Sequence, residues 1–343
     1  GFMTSDIPGV GGTIKDCPED FEVEEIPAYL PSGEGEHLFL WIEKRNLSSD
    51  EMVTRISRAL NIPSSEIGVA GKKDRVAVTK QFVSIPKKAE ANLTALDDPC
   101  IMVHSCTPHT NKLVVGHNRG NKFQIKIRNI RESTEESITQ IAHTIQAHGF
   151  ANFYGPQRFG SKGDTADIGF KILRGETADL PKQWLNKGKK KFALSAAQSY
   201  LYNRYLLRRL VELGQDTLLL GDVVFKSTGG IFKVDDLEAE RSRFMNKEIN
   251  PAGPIFGKKT YASSDEAADF EEKILSEAGI DRSVFQQFGK MLMGTRRANI
   301  CRPDAFSWTM EGDTLHLAFT LPSGSYATVL LAEFMKPLSI NGE

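Results

Sequence analysis

The most reactive arrangement of residues in the sequence is one aspartate enclosed by cations. Asp74 follows Lys72 and Lys73 and precedes Arg75 within the segment AGKKDRVAVTKQ, residues 70–81. Because neighbouring positive charges favour the ionised carboxyl, Asp74 is expected to be a carboxylate at neutral pH and a possible nucleophile. The residues also fit a polar turn between strands, in which Asp74 accepts backbone hydrogen bonds and the lysines face solvent.

A second segment, NFYGPQRFG at 152–160, combines aromatic rings, amides, a guanidinium and two glycines in nine residues. Such a composition suits a site where bases stack and phosphates are bridged. It also fits an aromatic core followed by a turn. A third segment, LPSGSYATVLL at 321–331, is a Gly/Ser turn that closes on Tyr326, or a corner between a strand and a helix. The candidate site residues of the second segment are Asn152, Phe153, Tyr154, Gln157 and Arg158.

Metal and nucleotide chemistry receive little support from residue spacing. The segment CIMVHSCTPH has Cys and His in a C-x3-H-x-C-x2-H pattern, which lacks the paired knuckles of structural zinc sites. The segment GPIFGKKT, residues 253–260, has three residues between its glycines, and its first Lys is not followed by Ser or Thr, so it is not a Walker A loop. We therefore expect neither a metal nor a nucleotide cofactor.

A glycosidase is a further alternative, because it needs two carboxylates that flank the scissile bond. Glu22, Glu24 and Glu25 are available on a predicted strand. Nothing in the sequence pairs one of them with Asp74, so this alternative has no positive support.

The composition is that of a globular protein of about two domains. The chain has 343 residues, of which 40% are hydrophobic and 25% charged, with 43 Lys and Arg against 44 Asp and Glu. Basic segments such as KGKKK at 187–191 permit a local phosphate-binding surface despite this balance. No transmembrane segment or secretory signal is indicated, and four cysteines without paired spacing favour the cytoplasm.

The hydrophobic pattern predicts a strand-rich first part, a largely helical middle and a strand-rich end. A chain of this kind suggests an inserted domain, with the final strand completing the sheet of the first part. Helices are predicted from Ser48, from Ser133 to Gly149, at 194–214 and at 265–278, with a connecting region at 161–190 and a polar stretch at 236–260. Strands are predicted at FEVEEI, EHLFLWIEKR, 77–85, KLVVGH, NKFQIKIR, a hairpin at 226–234 and the closing apolar runs.

The three segments together resemble the TruD family of tRNA pseudouridine synthases. Family members carry A-G-x-K-D-R/K-x-A-V-T-x-Q, N-Y/F-F/Y-G-x-Q-R-F-G and L-P-x-G-S-Y/F-A-T, present here as AGKKDRVAVTKQ, NFYGPQRFG and LPSGSYAT. The similarity extends in family order to KDCPEDFEVEE, GEGEHLFLWIEKRN, HTNKLVVGHNRGNKFQI and LSAAQSYLYN, over nearly the whole chain.

The resemblance implies an α/β (α+β) fold. Its catalytic core has a mixed, largely antiparallel sheet flanked by helices, and an inserted α/β TRUD domain completes a V-shaped RNA-binding cleft. On this basis we expect the core at residues 1–177 and 304–343 and the insertion at 178–303.

The resemblance also implies an activity: isomerisation of one uridine of tRNA to pseudouridine, at position 13 in this family. Asp74 corresponds to the family's nucleophile. The reaction requires no cofactor, the expected partner is tRNA, and a monomer is the default. An RNA-binding or tRNA-chaperone protein without catalysis is the alternative function.

Further site residues are carried over from the family motifs. Lys15 is expected to pair with Asp74 or to touch the target phosphate, and Phe21 to line the pocket. The aromatic wall on which the base stacks is expected to be Tyr154 or Phe153. At the position of Tyr154 the family usually has Phe. Asn152 is expected near the target nucleotide or holding the Asp74 loop. The residues expected to order the site, bind RNA phosphates or tune Asp74 are Gln157, Arg158, Lys72, Lys73 and Arg75.

Overall fold

A computed structural model describes residues 2–132, 134–160 and 163–336, which form two compact units. The first, here called the sheet unit, contains residues 6–132, 134–147, 302–327 and 334–336. The second, the helical unit, contains residues 2–5, 148–160, 163–301 and 328–333. None of the helices in these described ranges combines the length and the apolar character needed to cross a membrane.

Fifteen strands and seven α-helices are found among the described residues. The strands are β1 (Gly11–Thr13), β2 (Phe21–Pro27), β3 (His37–Arg45), β4 (Gly68–Val69), β5 (Val78–Pro86), β6 (Ile101–His109), β7 (Asn118–Ile130), β8 (Phe150–Ala151), β9 (Val223–Lys226), β10 (Ile231–Lys233), β11 (Ile249–Ile255), β12 (Thr295–Ala298), β13 (Ile300–Cys301), β14 (Asp304–Glu311) and β15 (Thr314–Pro322). The helices are α1 (Ser49–Leu60), α2 (Glu135–His148), α3 (Thr165–Arg174), α4 (Lys187–Glu212), α5 (Leu237–Met245), α6 (Asp265–Glu277) and α7 (Ala327–Met335).

The sheet unit is built on a nine-stranded sheet. Its main path runs β14-β15-β7-β2-β5-β3-β6, with β1 paired to β7 and β4 to β5. Only the β2–β5 pair is parallel, so the sheet is mixed and largely antiparallel, as expected. The late strand β15 pairs with β7, with Leu315 opposite Ile127. This confirms that the end of the chain completes the sheet of the first part.

Helix α1 covers one face of this sheet, and its sequence explains where it begins. The Ser48 side chain accepts a hydrogen bond from the Glu51 N–H, and the Glu51 carboxylate accepts one from the Ser48 N–H, which satisfies two N–H groups at the helix start. The buried face of the helix packs on apolar side chains of β3 and β5. The residues of this core include Met52, Ile56, Leu60, Leu38, Leu40, Ile42, Val83 and Ile85.

The helical unit centres on the long helix α4, which packs against α3 and a four-stranded sheet of order β10-β9-β11-β12. The short strands β8 and β13 form a separate antiparallel pair. Gly169 of α3 lies so close to α4 that a Cβ placed on it would be 2.1 Å from the Ala193 carbonyl oxygen. The absence of a side chain at this position therefore sets the distance between the two helices.

Several predicted elements are confirmed: the strands at β2, β3, β5 and β7, helix α1, the β9–β10 hairpin and helix α6. Helix α2 begins at Glu135, and the predicted start at Ser133 lies outside the described residues. Helix α4 starts earlier than predicted, because it includes the lysine run at 187–191.

Four predictions are wrong. The segment 112–117 is a turn, since Leu113 donates its N–H to Ser84 Oγ and Gly116 to the Ala70 carbonyl. Helix α3 lies in the supposed connecting region, and α5 and β11 lie in the supposed polar stretch. The apolar run after residue 326 is helix α7 and not a strand, because short apolar runs fit a buried helix as well as a strand. The alternative interpretation of 321–331 as a corner between a strand and a helix is confirmed, since β15 ends at Pro322 and α7 begins at Ala327.

We expect Gly169→Ala to lower the free energy of unfolding by about 1–3 kcal/mol, since the added methyl forces α3 and α4 apart. The matched control is Gly188→Ala in α4, where a Cβ meets nothing within 4 Å. There, alanine's higher helix propensity raises stability by up to about 1 kcal/mol. Urea unfolding measures both values, and a similar change for the two variants contradicts the packing role of Gly169.

Candidate active site

Asp74 lies in the turn between β4 and β5, and its ionic partner is distant in sequence. Lys15 Nζ is 3.2 Å from Asp74 Oδ1 and lies 4.3 Å from the centroid of the Phe21 ring. Lys15 has a φ of 61°, a left-handed conformation that is uncommon outside glycine. The pairing of Lys15 with Asp74 that the family resemblance implied is therefore present.

Phe21 supports this ion pair from the interior of the sheet unit. Its side chain is only 1% exposed, with the Lys15 ammonium over its ring and Phe123 edge-on at a centroid distance of 6.1 Å. Phe21 thus contacts the cation that binds Asp74, and a ring face gives a lysine both apolar packing and cation–π attraction.

The three cations adjacent to Asp74 in sequence bind other carboxylates. Lys73 Nζ is 2.8 Å from Glu25 Oε2 in a buried pair. Lys72 Nζ is 2.8 Å from Asp50 Oδ2, and Arg75 Nη2 is 3.6 Å from Glu51 Oε1, both near the surface. These pairs tie the turn to β2 and to the first turn of α1, while Lys15 supplies the ion pair of Asp74.

A buried lysine that sequence reasoning missed holds the main chain of the turn. Lys44 Nζ donates to the carbonyl oxygens of Leu47 at 2.6 Å and Asp74 at 2.7 Å. Burial lowers the pKa of Lys44 to about 8, against the opposing effect of the Asp74 and Glu51 charges. A signal was present in the sequence, since strand alternation places Lys44 on the same inward face as Leu40 and Ile42.

The segment that carries Lys15 and Phe21 is anchored by a buried aspartate. Asp20 accepts three hydrogen bonds from Arg128 of β7: from Nε to Oδ1 at 3.0 Å, from Nε to Oδ2 at 2.8 Å and from Nη2 to Oδ1 at 2.7 Å. These bonds lower the pKa of Asp20 below its usual value, although burial opposes them. Asp20 thereby connects the segment to the middle of the sheet.

The residues of the 152–160 segment lie in the helical unit, where Arg297 orders them. Arg297 donates from Nη2 to Asn152 Oδ1 at 2.8 Å and from Nε to the Asn152 carbonyl at 2.9 Å. Asn152 in turn donates from Nδ2 to the Ala298 carbonyl at 2.9 Å. Sequence reasoning missed Arg297, whose role depends on the pairing of β8 with β13 and on the position of β12.

Tyr154 is fixed on both its ring and its main chain. The Arg297 guanidinium lies 4.1 Å from the ring centroid, and the Tyr202 ring is edge-on at 5.6 Å. Asn203 of α4 accepts from the Tyr154 N–H at 2.8 Å and donates to its carbonyl at 3.0 Å. The ring orientation is thus set by contacts within the helical unit.

The remaining predicted residues of this segment differ in their surroundings. Arg158 donates from Nε to Ser199 Oγ at 3.0 Å and from Nη2 to Ser195 Oγ, both on α4. Phe153 is half-buried against the core of the helical unit, and Gln157 is exposed. Arg158 is therefore held by α4, while Gln157 faces solvent.

The two histidines of β6 contact other side chains. His104 Nε2 is 3.0 Å from Glu43 Oε2, and the His109 ring stacks on Tyr29 at a centroid distance of 5.2 Å. Within the described ranges, no group of three or more His, Cys, Asp or Glu side chains is arranged to hold a metal ion.

Comparison with known proteins gives consistent similarities over almost the whole chain. Residues 2–191 and 182–334 match the model of the family described as tRNA pseudouridine synthase D (TruD). The tRNA pseudouridine synthase D of Anaeromyxobacter dehalogenans strain 2CP-1 is 39% identical over 337 residues, which are 98% of this chain and 96% of that protein. A protein of the same name from Thermus thermophilus is 40% identical over 339 residues, with 98% and 92% covered.

A solved structure is similar at the level of the fold as well. The crystal structure of the putative tRNA pseudouridine synthase D from Methanosarcina mazei superposes with a TM-score of 0.75 and 25% sequence identity. The match covers 96% of this chain and 95% of that one.

We expect Asp20→Asn to destabilise the protein at pH 7, because it removes the charge that binds Arg128. The pKa of Asp20 is lower in the folded chain, so its stabilising effect is full above about pH 4 and is lost as the pH falls below that value. The difference in unfolding free energy between wild type and variant should therefore shrink at low pH. Asp16→Asn, at an exposed aspartate that accepts from Thr13, is the control and should show little change. A difference that is independent of pH contradicts the assignment.

Proposed function

This chain belongs to the TruD family of tRNA pseudouridine synthases, and from that premise we propose that Asp74 is its nucleophile and uridine 13 of tRNA its target. The observation that carries the proposal is the ion pair of Asp74 with Lys15 at 3.2 Å. A carboxylate held by one cation and anchored through its main chain is oriented to act as a nucleophile.

The reaction breaks the bond between N1 of uracil and C1′ of ribose and forms a bond between C5 and C1′. In one course Asp74 attacks C1′ as the N1–C1′ bond breaks, the uracil anion turns, and C5 then displaces the carboxylate from C1′. In the other, Asp74 only assists departure of the uracil anion, which turns and rejoins C1′ through C5. The proton lost from C5 is balanced by one gained at N1, so the overall change is an isomerisation. Lys15 holds the attacking carboxylate in place through their ion pair.

The target uridine must leave its stack, and an aromatic wall offsets part of that cost. We assign this role to Tyr154, whose ring is already oriented by Arg297 and Tyr202. Asn152 is assigned to the target nucleotide, since Arg297 fixes the orientation of its side-chain amide. A ring and an amide that are ordered in advance lose little entropy when substrate binds.

Exposed lysines at the start of α4 are proposed to bind the RNA backbone. Lys187, Lys189 and Lys191 are exposed, and no acidic residue lies in the first turn of this helix. Cations at a helix N-terminus are unfavourable for the helix itself, because its dipole is positive there. Phosphates would relieve that repulsion.

These lysines belong to the range 178–303, which we propose as the inserted domain, with 1–177 and 304–343 as the catalytic core. The four-stranded sheet and helices α5 and α6 lie inside the first range. All nine strands of the large sheet lie outside it. Residues 337–343 of the proposed core are outside the described part of the chain.

The proposal is tested by tritium release from a tRNA transcript labelled at C5 of uridine. Wild type should release tritium, while Asp74→Asn should release none yet still bind the transcript, because an amide is not a nucleophile here. Asp97→Asn, at an exposed aspartate of the sheet unit, is the control and should act like wild type. A transcript with cytidine at position 13 should release nothing.

Three results would contradict the proposed function. Release by Asp74→Asn at the wild-type rate removes Asp74 as nucleophile. Release from the position-13 cytidine transcript places the target elsewhere. Binding without release from any tRNA favours an RNA-binding protein without catalysis.

We expect tRNA affinity to fall steeply with salt, and Lys187→Ala to reduce the slope of log K against log salt by about one. The physical reason is that each phosphate contact releases bound counterions. Filter binding across a salt series measures this slope. Lys88→Ala is the control, since Lys88 pairs with Glu66 at the surface of the sheet unit. An unchanged slope for Lys187→Ala excludes this lysine from the RNA contact.

A further inference from the structure

Lys44 is a fully buried cation directly beneath the main chain of Asp74. Its exposed fraction is 0%, and Nζ donates at 2.6 Å to Leu47 and at 2.7 Å to Asp74, in both cases to a carbonyl oxygen. The first carbonyl belongs to the connection between β3 and α1, and the second to the proposed nucleophile. One ammonium thus joins two loops that are 27 residues apart, as the positions 47 and 74 show.

The charge of Lys44 is not explained by packing. Buried ammonium groups cost free energy unless they are paired with an opposite charge. In the described part of the chain, Lys44 makes no ion pair within 4.0 Å, although lysines at positions 15, 72 and 73 do. An apolar side chain would suit the Leu38, Leu40 and Ile42 row on the same strand face better.

The charged groups that act on Lys44 belong to two neighbouring elements. Asp74 in the turn and Glu51 at the start of α1 favour its charged form, whereas Lys73 in the turn opposes it. Lys73 itself is paired with Glu25 of β2, with the two side chains 5% and 1% exposed. The ammonium group of Lys44 therefore acts on the turn that carries the nucleophile, where it donates to the Asp74 carbonyl.

We propose that Lys44 is a positioning residue for the isomerisation: its charged ammonium clamps the Asp74 carbonyl to the β3–α1 connection and so holds the nucleophile at its attacking position. The proposal rests on the proposed function of Asp74. Charge-assisted hydrogen bonds are roughly twice as strong as neutral ones, so the protonated form holds the turn more firmly than the neutral amine.

This role has opposite consequences for activity and stability as the pH rises. Burial lowers the pKa of Lys44 to about 8 from its usual 10.5, so the clamp weakens above pH 8. In the unfolded chain, the Lys44 amine stays protonated up to its usual pKa of 10.5. Folding therefore becomes more favourable between these two values as the buried charge is removed. A rate that falls while stability rises separates positioning from a purely structural role.

The test measures kcat and KM for tritium release, and thermal unfolding, from pH 7 to 9.5. Lys44→Met removes the charge at similar length, and Lys44→Arg keeps a charge that does not titrate in this range. Lys88→Met is the matched control at an exposed lysine.

For Lys44→Met we expect kcat to fall about 100-fold at pH 7, as for a nucleophile displaced by about 1 Å, with KM changed less than about threefold. The alkaline decline of kcat that we expect for wild type should be absent from Lys44→Met, and Lys44→Arg should restore part of kcat without that decline.

The possible outcomes separate the role of Lys44 from the proposed function of Asp74. Wild-type kcat in Lys44→Met overturns the role of Lys44 and leaves Asp74 as nucleophile. A higher KM with unchanged kcat in Lys44→Met also overturns this role, since that result indicates a contribution of Lys44 to RNA binding. If Lys44→Met does not fold, the wild-type profile still decides, because a kcat that is flat from pH 7 to 9.5 overturns the proposal. No release by wild type, with tRNA bound, refutes the proposed function and this proposal together.

Discussion

The buried ion pair between Lys73 and Glu25 determines where Asp74 can lie. Lys73 directly precedes Asp74, and its side chain is only 5% exposed, whereas the Asp74 side chain is 41% exposed. The Lys73 N–H also donates to Ser49 Oγ at 2.8 Å, so α1 fixes the same peptide. Breaking a buried pair of this kind typically costs about 3–5 kcal/mol. The turn is therefore a rigid part of the sheet unit.

Different charged groups bind different parts of the turn around Asp74. Lys15 binds the carboxylate, Lys44 binds its carbonyl from the interior, and the acidic first turn of α1 binds Lys72 and Arg75. Acidic side chains are favourable at a helix N-terminus, so α1 gains stability from the same residues that hold the turn. One helix start thus contributes to both folding and the geometry of the site.

In the helical unit, Arg297 has the corresponding organising role. Its guanidinium binds two oxygens of Asn152 and stacks on Tyr154, two of the residues assigned to the target nucleotide. A planar guanidinium can form directed hydrogen bonds and stack at the same time, which a lysine cannot. This explains how a segment with little regular structure presents ordered side chains.

The sequence by itself determined the family, the strands β2, β3, β5 and β7, the candidate nucleophile and Lys15 as one of its possible contacts, because these depend on local patterns and on motif resemblance. It did not show which cation binds which carboxylate. Lys72, Lys73 and Arg75 are neighbours of Asp74 along the chain, yet they pair with Asp50, Glu25 and Glu51. Lys44 and Arg297 gain their roles only when β3 and β12 bring them to residues 30 and 145 positions away. Such contacts depend on strand register and burial, which are properties of the assembled fold and not of any short stretch of sequence.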